Sequence, residues 1–317
     1  MKIINKFKIK SDGDLLYCKI ETRNFLKVHK PEYVENYVFA LMELGTNILK
    51  YAGEGELWLI AEENEYMIAA LDQGEGIEDI NWALEEGNSS SGTLGIGLSS
   101  LNGMEKFILS VISLNEDDYN GTAVLFRPKN LKRDYVSIHR NYMDLKYGGD
   151  FLYKKGKFFI IGDVNGHGLK AQRSAEKIVR FFKEKVLSCV IVDDIFYELH
   201  EYIKAKSLRG VVLSIVEKTK YVNICGVGNL KILVKELGNV EIYSQKNGIV
   251  GEVFTGISEY SFELENRVIC IFTDGIEDTL ARKIFLKSDD VFLCAVSAVY
   301  FSKTVDDKTL LILKEGK

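Results

Sequence analysis

The chain has 317 residues, 46% hydrophobic and 27% charged, enough apolar material for two domains of ordinary size. A formal net charge of −5 and a pI near 5.6 exclude broad electrostatic attraction to nucleic acid or an acidic membrane surface. The longest apolar run, Val291 to Phe301, falls far short of the roughly 20 residues a bilayer-crossing helix needs. The opening MKIINKFKIKSDGD has no apolar core for a signal peptide. Five cysteines (Cys18, Cys189, Cys225, Cys270, Cys294) are odd in number and lack CxxC spacing, so they read as buried free thiols in a cytoplasmic protein.

In chain order, Met1 to Lys10 alternates apolar and charged residues like an edge strand. Ser11-Asp12-Gly13-Asp14 is a helix-start signal for Leu15 to Val28. Pro31 suits the first turn of a second helix, on which Val34, Tyr37, Leu41, Leu44 and Ile48 form one apolar stripe. The narrow polar wedge of that helix holds Glu43 and Asn47, neighbours at i and i+4. Leu57 to Ala61 and Tyr66 to Leu71 read as strands. The second ends at Asp72, before Gln73-Gly74-Glu75-Gly76, where glycines let backbone approach a ligand. Gly92, Gly95 and Gly97 open an apparent helix, Leu98 to Lys106, whose first N–H groups suit a phosphate. Phe107 to Leu114 and, after Gly121-Thr122, Ala123 to Phe126 read as the last strands of this half, which is expected to form a mixed sheet.

The ordered motifs ELxxNIxKYA, DxGxGI, SxxGxLGxGL and GT resemble the GHKL ATPase fold, and within it the RsbT-like anti-sigma-factor serine kinases. The resemblance implies an α/β sandwich over residues 1–128 that binds ATP with Mg²⁺. By it, Asn47 holds the Mg²⁺, Asp72 reads adenine, Gly74, Gly76, Gly92, Gly95 and Gly97 line the phosphates, and Thr122 supports the adenine pocket. Glu43 is implied as the general base for an incoming serine hydroxyl.

The basic stretch Pro128 to Asp134 reads as a boundary. Beyond it, Gly148-Gly149-Asp150 begins one strand and Lys157 to Gly162 forms another, with a tight turn at Lys154-Lys155-Gly156. Asp150 and Asp163 then face each other at the open end of a hairpin, where like charges repel unless a cation intervenes. Helices are expected over Leu169 to Val186 and from about Asp193 to Lys206. The remainder is β-rich: Val211 to Glu217, Tyr221 to Gly226, Lys231 to Val234, Val268 to Phe272 and Leu310 to Leu313. Thr273-Asp274-Gly275 and Asp306-Asp307-Lys308-Thr309 add further strand-end aspartates. Oxygen-only ligands point to Mg²⁺ or Mn²⁺ rather than zinc.

GGDF, GDVNGHG, GNL, TDGIED and DDKT resemble the SpoIIE- and RsbX-type metal-dependent serine/threonine phosphatases of the protein phosphatase 2C (PPM) class. The resemblance implies a β-sandwich flanked by helices over residues 135–317. It implies two Mn²⁺ or Mg²⁺ ions on Asp150, Asp163, Asp274 and Asp306, with help from the Val164 carbonyl. Asp306 rather than Asp307 is taken as the ligand, and His167 as a helix-start residue outside the metal shell. The expected whole is an α/β (α+β) protein, kinase in one half and phosphatase in the other. Its implied substrate is a STAS-domain anti-anti-sigma or stressosome-type phosphoprotein, and a sigma factor or downstream regulator is a second class of partner. The alternative keeps the phosphatase and makes residues 1–128 a nucleotide-dependent partner-binding module.

Overall fold

The computed structural model describes residues 1–85, 97–116, 118–186, 192–253 and 255–316. Gly92, Gly95 and Cys189 lie outside the described residues. The chain divides into two compact units, Met1–Lys132 with Lys287–Phe301, and Arg133–Leu286 with Ser302–Lys317.

The first unit begins with strand β1 (Lys2–Ile9) and helices α1 (Asp12–His29) and α2 (Val34–Asn47). Ser11 starts α1 by accepting the Asp14 N–H on its hydroxyl at 3.2 Å. The hairpin β2 (Gly55–Glu62) and β3 (Glu65–Asp72) follows, then short helices α3 (Ile80–Leu84) and α4 (Gly97–Asn102), and the hairpin β4 (Phe107–Glu116) and β5 (Tyr119–Pro128). The helix expected to reach Lys106 stops at Asn102, where the Gly103 N–H turns back to the Ser99 carbonyl. Strands lie in the order β1-β2-β3-β5-β4, and every pairing is antiparallel. The expectation of a mixed sheet is corrected here. β4 does run parallel to β3, but it lands one place away and β5 folds back into the gap. Leu15 and Leu26 of α1, Tyr37, Leu41 and Leu44 of α2 and Leu101 of α4 bury one sheet face against Leu57, Leu59, Ile68, Val124 and Phe126. Side chains alternate along a strand, so Trp58, Ile60, Met67, Ala69 and Leu125, all buried, belong to the opposite face.

The second unit contains β6 (Tyr135–Arg140), β7 (Phe151–Lys155), β8 (Phe158–Val164), α5 (Leu169–Lys185), α6 (Val192–Ala205), β9 (Val211–Lys218) and β10 (Tyr221–Val227). It continues with β11 (Lys231–Glu236), β12 (Asn239–Ser244), β13 (Ser258–Glu263), β14 (Arg267–Phe272), α7 (Asp278–Lys287) and, close to the end, β15 (Lys308–Lys314). Two antiparallel sheets form, β13-β10-β9-β8-β7 and β12-β11-β14-β15-β6. Between them lies a core of Phe159, Ile161, Val216 and Ile224 from one sheet and Ile232, Ile269, Ile271 and Leu311 from the other. Helices α5 and α6 cover the outer side of the first sheet through Ile178, Phe182, Phe196 and Leu199, packed on Ile160, Leu213 and Ile215. Strands β6, β12 and β13 were not expected from the sequence.

Helix α8 (Val291–Phe301), the longest apolar run, belongs to the first unit and packs on β3, β4 and β5. It covers the sheet face that α1 and α2 leave bare, with Tyr300 edge-on to Trp58 at 6.0 Å between ring centroids. Asp290 anchors its start, accepting the Phe292 N–H at 3.0 Å, the Arg127 Nε–H at 2.9 Å and the Ser110 hydroxyl at 2.7 Å.

Candidate functional site

Two groups of residues predicted from the sequence come together, one in each unit. In the first, Asp72 ends β3 on the sheet face that α2 covers. Its Oδ1 accepts the N–H of Gly74 at 2.9 Å and of Thr122 at 3.2 Å, so one carboxylate oxygen ties the glycine turn to β5. Burial raises the Asp72 carboxyl above its ordinary value, against the pull of those two hydrogen bonds. Among the described residues Oδ2 makes no hydrogen bond, which leaves it for a ligand. A Cβ at Gly74 would stand 2.9 Å from the Ala52 Cβ, so the turn needs glycine. Gly76, at φ +82°, packs instead against Ser113 and Leu114. Glu43 and Asn47 are half-buried on successive turns of α2. Directly after Asn47 the helix widens, Gly53 N–H reaching back five residues to the Ile48 carbonyl, a distortion frequent at functional sites. Gly97, the first residue of α4, lies against the Glu43 carboxylate.

In the second unit, four acids sit at strand ends. Asp150 precedes β7, Asp163 is the next-to-last residue of β8, Asp274 follows β14 and Asp306 precedes β15. The hairpin register pairs Phe151 with Gly162, which sets Asp150 beside Asp163. Burial, then the charge of Asp163, raises the Asp150 carboxyl well above its ordinary range. Asp163 is pushed up to about 7, by burial first and then by Asp274, Asp306 and Asp307. Asp274 is raised by burial and by Asp306, against a 2.7 Å hydrogen bond from the Asn229 amide. Every charge named here is another carboxylate.

A buried polar layer beneath the acids escaped the sequence reading. Thr273 and Thr309 are fully buried. The Thr273 hydroxyl donates to Asp150 Oδ2 at 2.7 Å and accepts the Thr309 N–H at 3.1 Å. His139 bonds the Thr309 hydroxyl at 2.7 Å and the Asn141 side chain at 2.5 Å. Asp306 is exposed whereas Asp307 is buried. The DDKT signal therefore carries three tasks, an acid offered outward, an acid turned inward, and a threonine supporting Thr273. Val164 is fully buried, and His167 is exposed at the start of α5. A separate cavity of about 400 Å³, lined by residues such as Glu236, Tyr243, Phe262 and Arg267, includes none of the four acids.

Among the described residues, no three Asp, Glu, His or Cys side chains stand close enough to share one ion. Asp163 links the four, since its side chain bonds Asp150 and it also feels the charges of Asp274 and Asp306. An oxygen-only set fits Mg²⁺ or Mn²⁺, since Mg²⁺ takes one or two carboxylates and keeps several waters.

Residues 154–314, half of the chain, match the family described as Stage II sporulation protein E (SpoIIE). The chain belongs to the SpoIIE family. Among solved structures, the S. agalactiae serine/threonine phosphatase aligns with this SpoIIE-family chain at TM-score 0.50 and 11% identity, covering 57% of this chain and 99% of that one, a likeness of fold. RsbX in complex with magnesium aligns at TM-score 0.48 and 19% identity over 56% of this chain and 92% of that one. The serine/threonine-protein kinase RsbT of Bacillus subtilis (strain 168) is 38% identical over 89 residues, 27% of this chain. That match spans 64% of the kinase, less than two thirds of its length. The second unit is thus a SpoIIE-type domain with a serine/threonine-phosphatase fold. Among the described residues, no helix is long and apolar enough to cross a membrane.

Proposed function

We propose that this SpoIIE-family chain is a bifunctional switch enzyme. Its second unit removes phosphate from phosphoserine or phosphothreonine of a partner protein in a Mn²⁺- or Mg²⁺-dependent reaction. The observation that carries this half is the set of strand-end acids, Asp150, Asp163 and Asp274 each raised by the charge of a neighbouring carboxylate. Asp150, Asp163, Asp274 and Asp306, with the Val164 carbonyl, would hold the cations. Bound divalent cations supply the charge neutralisation that lets water attack a phosphoryl group at neutral pH. The chain's own part is to hold the acids ready. Thr273 fixes Asp150, Asn229 fixes Asp274, and the hairpin register sets Asp163 beside Asp150.

The first unit is read as a GHKL-type unit that uses ATP to install a phosphate, with the partial likeness to the kinase RsbT in support. Asp72 offers its second oxygen to the adenine, Thr122 backs it, and Gly74, Gly76 and Gly97 allow close approach of phosphates. Asn47 would hold Mg²⁺, and Glu43 takes the proton of the acceptor hydroxyl. The substrate class is a STAS-domain antagonist protein in a partner-switching system. One observation favours the rival reading, a nucleotide-dependent binding module: the start of α4 rests on Glu43 and leaves the base little room.

The test uses a phosphoserine STAS-type protein, the whole chain and Mn²⁺. Wild type should release phosphate and stop in EDTA, and Asp274→Asn should lose turnover while staying folded, since an amide is a poor ligand for a hard cation. Full activity in EDTA or in the variant overturns the proposal.

A further inference from the structure

The acid next to Asp306 has a different task. Asp307 is 4% exposed, and backbone occupies both its oxygens. Oδ1 accepts the Tyr142 N–H at 2.7 Å. Oδ2 accepts the Gly149 N–H at 2.6 Å and the Asp150 N–H at 3.4 Å. Gly148 must be glycine here, because a Cβ would stand 2.5 Å from Asp307 Oδ2. The Asp307 carbonyl lies against Gly275, the residue after Asp274. One residue therefore touches the segments that carry Asp150, Asp274 and Asp306. On its other side it grips a strained turn, with Met143 at φ +48° and Asp144 at φ +57°. Such angles are uncommon for non-glycine residues, and for Met more than for Asp. Arg140 adds to the grip, with two hydrogen bonds to the Asp144 carboxylate at 3.0 and 3.1 Å.

We propose that Asp307 is a positioning residue, which seats Asp150 for a divalent cation by holding the backbone of residues 142–150 and does not touch the cation itself. The inference rests on the metal-dependent reading above. Groups that orient a ligand from behind typically change metal affinity by roughly 10–100-fold when altered. Asp307→Asn keeps the shape but replaces one acceptor oxygen with an N–H, so that one of the two held segments meets a donor with a donor.

The whole chain serves for the test, with Mn²⁺ as probe. Free Mn²⁺ is followed by electron paramagnetic resonance, and deuterium uptake over residues 141–150 by mass spectrometry without metal. Asp307→Asn should weaken Mn²⁺ binding roughly 10-fold or more, bind the wild-type number of ions at saturation, and speed exchange across 141–150. Asp306→Asn should weaken Mn²⁺ binding and leave that exchange unchanged. If Asp307→Asn keeps wild-type affinity, Asp307 is only a folding residue and the proposal fails. If affinity falls while exchange does not move, Asp307 is a direct ligand and the proposal fails differently. Wild type that binds no Mn²⁺ overturns the metal reading itself. Asp307→Ala is a second, harsher variant, and if it does not fold, Asp307→Asn decides.

Discussion

Replacing Asp163 by asparagine should flatten the pH dependence of stability in the metal-free protein. Between its ordinary value of 3.8 and about 7, the folded chain holds a proton on this carboxyl that the unfolded chain has released. Its contribution to stability is therefore present at low pH and lost as pH rises. Each pH unit inside that window removes at most about 1.4 kcal/mol, so raising pH from 5 to 7 removes at most about 3 kcal/mol. Asp163 is half-buried, and partial screening by water brings an expected loss to about half of that. At roughly 2–4 °C per kcal/mol for a unit of this size, wild type should melt roughly 3–6 °C lower at pH 7 than at pH 5 from this group alone. His139 and His200, both lowered by burial, act with the opposite sign as pH falls, but they are the same in wild type and Asp163→Asn. The readout is therefore the difference between the two melting curves, taken in EDTA at pH 5, 6 and 7. Parallel curves would refute the reasoning, as would a wild type that gains on Asp163→Asn with rising pH. Added Mg²⁺ should shrink the wild-type slope, since a cation favours the ionised form.

Further outcomes are expected of the first unit. Asp72→Asn should weaken ATP binding measured by calorimetry, while Glu43→Ala should leave binding near wild type and slow phosphate transfer roughly 100-fold; equal loss of binding in both would make Glu43 structural. Arg127→Met strands the carboxylate of Asp290, whose side chain is 9% exposed, and should cost about 3–5 kcal/mol in urea unfolding. A loss below about 1 kcal/mol would show that Ser110 and the helix start satisfy Asp290 without it.

Much of this was legible because period and punctuation agreed. The α2 stripe Val34, Tyr37, Leu41, Leu44 and Ile48 is buried throughout, and the turn at Gly156 set the register that faces Asp150 toward Asp163. Three strands were missed for physical reasons. β12 and β13 are sheet edges with mixed, half-exposed residues, so burial never imprinted a clean alternation on them. β6 is read as a strand only once β15, some 170 residues later, supplies its partner. Thr273 and Thr309 carry no charge and stood beside acids that drew the eye, and their role exists only across two neighbouring strands. Nothing in DDKT says which acid faces outward; Asp306 lies exposed in a bend, and Asp307, just before β15, is turned inward onto the backbone of Tyr142 and Gly149.

The place of α8 has a consequence for synthesis. The sheet of the first unit leaves the ribosome early, yet the helix that covers Trp58, Met67 and Leu125 is not made until residue 301. At about 5–20 residues per second, that apolar face waits roughly ten to thirty seconds for its cover. A nascent chain in that interval offers a chaperone a broad oily surface, and shortening the message anywhere before Phe301 would leave it open for good.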